Sequence, residues 1–267
     1  MGRAVSWKVR GAGRLVALLC AGATTWGISP APAAAATPVS AVSAQATHHD
    51  GSRWTVRTPF YREVVRRGDQ DTSAYHIEHV RELQYRLRFA GVYRGPVTGF
   101  FGDLTHAAVQ RYQRREHLRV TGVANHLTWE HLIKDSVRGR DKIVPGCKRD
   151  GWHACYDRYR HQVTLWHNGS LRNAWLVRGG MRGYETRVGR FSVYYRDKDH
   201  VSSLYGSRMP YSQFFSGGQA FHGSPYMTNP FRDHSHGCIN MYIEDARQLW
   251  ALTSTKHLAV HVYGAWD

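Results

Sequence analysis

Gln162-Val163-Thr164-Leu165-Trp166-His167-Asn168-Gly169-Ser170-Leu171-Arg172-Asn173-Ala174-Trp175-Leu176-Val177 decides the fold class of the second half of this chain. Residues 162–167 and 171–177 alternate, the two-residue period that puts successive side chains on opposite faces of a strand. Between them lies Asn168-Gly169. A two-residue hairpin turn needs positive φ at both central positions, which Asn and Gly adopt at least cost. The stretch therefore predicts a β-hairpin. Residues 189–195 and 258–263 are again strand-like, while Ile243–Leu252 carries Glu244 and Asp245 in a first turn and Ala246, Leu249 and Trp250 at helical spacing. A mostly β domain with at least one helix is expected over residues 143–267.

Upstream of the hairpin the period changes. Ile77, Val80, Leu83, Gln84 and Leu87 share one face of a helix, and Thr105, Ala108, Val109 and Tyr112 share a face of a second. A repeat is visible: Val97-Thr98-Gly99 with Gly102 and Thr105 recurs 23 residues later as Val120-Thr121-Gly122 with Asn125 and Thr128. In each copy the Gly or Asn suits a tight turn, and the Thr suits a helix N-cap. A small helical bundle over 76–135 is expected. The whole is an α+β multidomain chain, the bundle preceding a β-rich, sandwich- or barrel-like domain.

The 267 residues are 42% hydrophobic, enough for one large or two small cores, and carry 36 Lys+Arg against 20 Asp+Glu. The apolar residues are dispersed, which excludes a multi-pass membrane protein. The formal charge of +16 favours an anionic partner: nucleic acid, acidic membrane or acidic wall polymer. Residues 1–36 have the layout of a secretory signal peptide: Arg3, Lys8, Arg10 and Arg14 without an acid, an apolar run from Leu15 to Ile28, and Ala34-Ala35-Ala36 at a cleavage site. An uncleaved anchor is the alternative; once the leader is cleaved, no stable membrane span is expected. Removing the leader's four positive charges from +16 leaves +12, on a secreted protein acting outside the cytoplasm. Residues 37–75 read as a linker, small and polar to 50 and then Arg-rich with Trp54, Phe60 and Tyr61, a solvated face or lead-in strand. Nucleic acid drops out as a partner, because no recognition helix or aromatic-basic sheet signature is present and export argues against it.

Chemistry concentrates in Ala220-Phe221-His222-Gly223 and Asp233-His234-Ser235-His236-Gly237-Cys238-Ile239-Asn240. A Cys attacks as the thiolate and needs an imidazole or amide dipoles to reach that form. Gly223 and Gly237 let the backbone approach a substrate and leave amides for an oxyanion hole. Three readings stay open on the residues alone: a nucleophilic Cys238, an inert buried Cys, or a zinc site in which His234, His236 and Cys238 share a strand face and His222 is a fourth ligand. Cys147 and Cys155 read as a disulfide, since exported thiols tend to be oxidised, with a zinc pair as the alternative. Cys20 leaves with the leader, and Cys238 remains as the odd free thiol.

Leu83-Gln84, Gly91, Val97-Thr98-Gly99-Phe100-Phe101-Gly102, Thr105, Ala108-Val109, Gln113, Leu118, Thr121-Gly122, Thr128-Trp129 and Leu132 resemble the helical peptidoglycan-binding module appended to bacterial wall enzymes. Ser235-His236-Gly237-Cys238-Ile239-Asn240, with His222-Gly223 thirteen residues upstream of Ser235, resembles the signature of the L,D-transpeptidase catalytic domain. The resemblance implies that Cys238 attacks the carbonyl of the third residue of a stem tetrapeptide, releasing terminal D-alanine and leaving a thioester that a neighbouring stem's amine resolves into a 3,3 cross-link. It implies His222 as general base oriented by the Gly223 carbonyl, the Gly237 and Cys238 amides as oxyanion hole, and His236 as a shaping residue. Asn240, Ser235 and Tyr211 are the expected substrate contacts, and Tyr195, Phe214 and Phe215 either line the cleft or belong to the core. His234 either contacts substrate or is structural. Peptidoglycan stem peptides, glycan and anionic wall polymers are the implied partners, with no cofactor or metal. Ser224 and Asn240 replace the Thr and Arg that many members carry, and Glu185-Thr186-Arg187-Val188-Gly189 lacks the usual Pro. The rivals are a wall-binding protein with an inactive second domain, an L,D-carboxypeptidase and a zinc-dependent hydrolase.

Overall fold

The computed structural model describes residues 54–266. The expected leader and the first part of the expected linker lie outside the described residues. No helix among the described residues is long and apolar enough to cross a membrane.

The repeat seen in the sequence is built around two glutamines. Helix α1 (Val80–Phe89) buries Gln84, whose Oε1 accepts from the amides of Thr98 (2.9 Å) and Gly99 (3.0 Å) while Nε2 donates to the Phe100 carbonyl and Thr105 Oγ1, both at 3.0 Å. Gln113 on α2 (Asp103–Arg115) makes the same four bonds to Thr121 (3.0 Å), Gly122 (2.9 Å), the Val123 carbonyl (2.9 Å) and Thr128 Oγ1 (3.1 Å). Each glutamine saturates its amide against one Val-Thr-Gly turn and the first turn of the following helix. Thr105 and Thr128 are therefore not the N-caps that the sequence suggests. They sit three residues in, and the caps are Gly102 and, for α3 (His126–Asp135), Asn125, whose side chain accepts from the Thr128 amide at 3.0 Å. Threonine Oγ is needed elsewhere, by the glutamine.

Residues 54–75 depart from the expected linker. Val65 pairs with Ala124, Gln70 pairs with Phe100, and Phe60 packs into the helical core. Arg62, fully buried, donates to both oxygens of Glu82 at 2.7 and 2.9 Å, and Arg86 joins the same carboxylate at 2.7 Å. Polar composition misleads here because the charges are paired and buried, not solvated.

Two sheets follow. The first has the order β3–β2–β1–β9–β4, from β1 (Trp152–Asp157), β2 (Gln162–His167), β3 (Ser170–Leu176), β4 (Gly189–Ser192) and β9 (Leu258–Tyr263). The second has the order β5–β6–β7–β8, from β5 (Tyr195–Val201), β6 (Arg208–Ser216), β7 (Gln219–Gly223) and β8 (Ile239–Met241). The chain changes sheets between adjacent residues: Val193 donates to Leu258 of β9, and Tyr194 donates to Phe214 of β6. Helix α4 (Ile243–Thr253) contributes Ala246 and Leu249 to the core that Leu165, Trp175, Phe221 and Ile239 form between the sheets. The hairpin turn at Asn168-Gly169 has φ of 49° and 73°, as the dipeptide predicts.

Strand β2, like β1 beside it, is buried at nearly every position, so the alternation read over residues 162–167 does not appear as an alternation of exposure. The reason is the helical layer: Cys155, Trp166 and Ala174 pack on the outer face against the helices, while Ala154, Leu165 and Trp175 pack inward. A sheet covered on both faces loses the in/out pattern. Cys147 and Cys155 form a disulfide with Cα atoms 6.2 Å apart, fastening the turn Pro145–Lys148 to β1.

Candidate active site

Strands β7 and β8 run parallel, with His222 opposite Asn240. Parallel neighbours cannot be joined by a tight turn. The return segment 224–238 carries His234, Ser235, His236, Gly237 and Cys238 to the start of β8, and so brings the two sequence motifs together in one cleft of about 550 Å³. The hairpin joining β5 to β6 contributes Ser202, Leu204 and Tyr205 to its wall.

His222 is buried at 6% exposure, and its Nδ1 lies 2.8 Å from the Gly223 carbonyl. A carbonyl only accepts, so Nδ1 carries the proton and Nε2 keeps the lone pair of the neutral ring. Burial pushes the ring's pKa down to about 4, the Gly223 carbonyl opposes this, and the charge of Arg178 adds to it. The ring is thus an unprotonated base at neutral pH. Cys238 is the free cysteine among the described residues, half-buried against Met209, Phe214 and Ala220, with Sγ 3.7 Å from the Gly218 carbonyl. Burial pushes its thiol pKa up, and the Ala220 amide beside the sulfur pulls it partly back. The resting pair is neutral thiol and neutral imidazole, not a standing thiolate–imidazolium pair.

The loop around Cys238 is braced from within. Ser235 Oγ donates to the Cys238 carbonyl at 2.5 Å and accepts from the Gly237 amide at 3.0 Å. Both bonds bear on the sequence expectations: the Ser235 hydroxyl, at the cleft wall, bonds within the loop, and the Gly237 amide donates to it. Gly237 has φ of 116°, and a Cβ there would lie 2.5 Å from Gln219 Nε2. Its carbonyl accepts from Thr186 Oγ1 at 2.9 Å, and Thr186 in turn accepts from Gly180 at 3.1 Å, so the segment lacking the usual proline is tied in by a threonine hydroxyl. Gly180 is required by close approach, since a Cβ would meet the Tyr184 carbonyl at 1.9 Å.

His236 is exposed, stacked on Tyr205 (4.6 Å between centroids) and edge-on to Tyr184 (5.1 Å). His234 also faces the cleft, 6.0 Å from the Trp266 ring. His222, His234, His236 and Cys238 do not converge as a ligand set. The group of described residues that does, His79, Glu82 and Asp245, lies outside the cleft and has the Arg62 guanidinium between Glu82 and Asp245, at 2.7 and 3.5 Å. Of the four aromatics, Phe214 lines the cleft and Phe215 is core. Tyr211, expected to touch substrate, instead packs against Trp250 of α4 at 6.2 Å, and Tyr195 is exposed beside Phe214. Sequence reasoning missed Arg178, Arg187 and Arg208, which also line the cleft. The positional signal for Arg178 was weak, because it follows the predicted hairpin with no motif around it.

Residues 152–262 match the family model described as the L,D-transpeptidase catalytic domain. This segment is an L,D-transpeptidase catalytic domain. Residues 77–132, ahead of the transpeptidase domain, match the model of a peptidoglycan binding domain. Among curated proteins, a spore cortex-lytic enzyme of Bacillus cereus is 37% identical over 75 residues, 28% of this chain and 27% of that protein. An uncharacterized protein of Kitasatospora aureofaciens is 38% identical over 65 residues, 24% of this chain and 55% of that protein. The chain thus spans between about a quarter and half the length of these relatives. Among solved structures, an L,D-transpeptidase from Stackebrandtia nassauensis is similar at 24% identity and TM-score 0.49, covering 79% of this chain and 98% of that one. One from Xylanimonas cellulosilytica is similar at 22% identity and TM-score 0.43, covering 76% and 98%.

Proposed function

We propose that this chain is an exported wall enzyme that cross-links peptidoglycan stems through a Cys238 thioester. The observation that carries the reading is the meeting of Cys238 with an unprotonated His222 in one cleft, on a transpeptidase domain preceded by a peptidoglycan-binding module. His222 Nε2 takes the thiol proton as sulfur attacks the third-residue carbonyl of a tetrapeptide stem, which shifts the neutral pair to its reactive form only when substrate is present. The Cys238 amide is the donor we assign to the oxyanion, because Gly237 donates to Ser235. The imidazolium then protonates the departing amine and D-alanine leaves. An acceptor amine attacks the thioester, His222 takes its proton, and the thiol is restored with a 3,3 cross-link formed. The charge of +16, or +12 without the leader, suits an anionic wall.

Mass spectrometry of muropeptides incubated with the protein tests this. The expected products are free D-alanine and tripeptide-linked dimers, abolished by Cys238→Ala. Tripeptide monomers without dimers would make the domain a carboxypeptidase. Product formation unchanged by Cys238→Ala would overturn the mechanism, and no product with any tetrapeptide stem would leave a wall-binding protein. Stoichiometric zinc, with activity lost to chelators, would favour a zinc hydrolase instead.

A further inference from the structure

The transpeptidase cleft is lined by Arg178, Arg187 and Arg208, and among the described lining residues there is no Asp or Glu. Arg178 stands apart from the other two, which are exposed, because it is buried at 5%. Its backbone exchanges both hydrogen bonds with Asn240, at 3.0 and 2.8 Å, and Asn240 is in turn opposite His222 in the parallel pair. Residues directly opposite across strands present their side chains on the same face, about 5 Å apart per strand. Arg178, Asn240 and His222 therefore form a row across the cleft floor, with the nucleophile two positions before Asn240 on the same strand face.

The guanidinium in that row is poorly compensated. Nη1 donates to the Arg232 carbonyl at 3.1 Å, and its carboxylate neighbour, Asp233 at 3.8 Å, has a side chain 85% exposed to water. Nε is buried without a hydrogen-bond partner, and Oδ1 of Asn240 makes no hydrogen bond either, although the Asn240 side chain is close enough to the His222 ring to oppose the fall of its pKa. A buried cation held by one carbonyl and one solvated, distant carboxylate has unused capacity for an anion, and an Arg fork matches a carboxylate in shape and charge.

We propose that Arg178 is a specificity-determining residue that binds the C-terminal carboxylate of the donor stem peptide. The adjacent Asn240 Oδ1 accepts the amide N–H one residue-length from that carboxylate. The assignment rests on the acyl-transfer reading above, and it makes the cleft select peptides with a free C-terminus one residue beyond the attacked carbonyl. A carboxylate on the third residue's side chain offers the same chemistry from a different place.

The test reads binding on the Cys238→Ala protein, so that it does not depend on turnover. Three tetrapeptides are titrated by calorimetry: the free acid, its C-terminal carboxamide, and a form amidated at the third residue's side-chain carboxyl. The free acid is expected to bind about 10- to 100-fold more tightly than the C-terminal carboxamide, the range of a hydrogen bond to a charged group. Adding Arg178→Gln should collapse that gap to about twofold or less, and Arg178→Lys should keep part of it. Equal binding of acid and carboxamide before any change at Arg178 overturns the proposal, whether or not the glutamine variant folds. So does an equal loss on all three peptides with Arg178→Gln, which would make the residue structural, and so does a gap that follows the side-chain carboxyl. Failure of the unsubstituted protein to release D-alanine would sink the acyl-transfer reading while leaving this comparison readable.

Discussion

Acidification toward pH 4 should destabilise the protein through His222. Burial leaves its ring with a pKa of about 4 against an ordinary 6.5. At 1.36 kcal/mol per unit the difference corresponds to about 3 kcal/mol. Between those values the unfolded chain binds the proton and the folded chain does not, so stability rises with pH across the window. Going down, the cost begins near pH 6.5, grows to the full amount near 4, and is constant below. His79 acts in the opposite sense and in a different window: burial disfavours its charge, but Glu63 and Asp245 outweigh burial and hold its pKa well above the ordinary value. That contribution is complete below about pH 6.5 and is lost as pH rises through the raised native value, so it does not mask the His222 slope. The assay is urea unfolding at pH steps from about 7 to about 4, on the unsubstituted protein and on His222→Gln. The difference between the two curves cancels other groups that titrate there, His261 included. It should change by about 3 kcal/mol across the window. A flat difference curve, or a ring resonance absent from His222→Gln that titrates between pH 6 and 7, would refute the reasoning.

Three further outcomes follow from the packing. Gly237→Ala forces a Cβ onto Gln219 at positive φ; it should cost about 1–3 kcal/mol in unfolding experiments and slow alkylation of Cys238. Glu82→Gln leaves Arg62 and Arg86 without their shared buried carboxylate; a loss of about 3–5 kcal/mol is expected in denaturant melts. Cys147→Ser opens a disulfide whose partners are eight positions apart; thermal melts should show a loss of about 2–3 kcal/mol, with Cys238 alkylation unchanged.

Much of this architecture is written locally, and what is written locally was legible. Asn168-Gly169 specifies its turn through φ, and α4 and β9 fall where their periods put them, within a residue. The Cys238 and His222 motifs stood out as a cluster of reactive residues, but the residues alone left a zinc site and an inert Cys open, and their pairing as nucleophile and base came from the family resemblance. What could not be read depends on partners distant in sequence. Arg62 looks like a solvated charge until Glu82 is seen against it, and Ser235 looks like a free hydroxyl until the loop closes on it. Tyr211 has a positive φ of 61° and its ring lies against Trp250 of α4, an arrangement with no signature in the surrounding residues. Arg178 reaches the cleft because its strand extension pairs with Asn240, 62 positions later.

Two guanidinium groups, from Arg62 and from Arg86 of the helical layer, converge on a single carbonyl oxygen, that of Ala174 in β3, at 3.1 and 2.6 Å. A joint made of buried, paired charges has little play, unlike the loose contacts that let most domains swing against each other. A wall strand gripped by the helices would thus be offered to the thiol at one reach and one heading. On the proposed function, the stride between successive stems along that strand, and not the sweep of a tether, would set which stem is processed next.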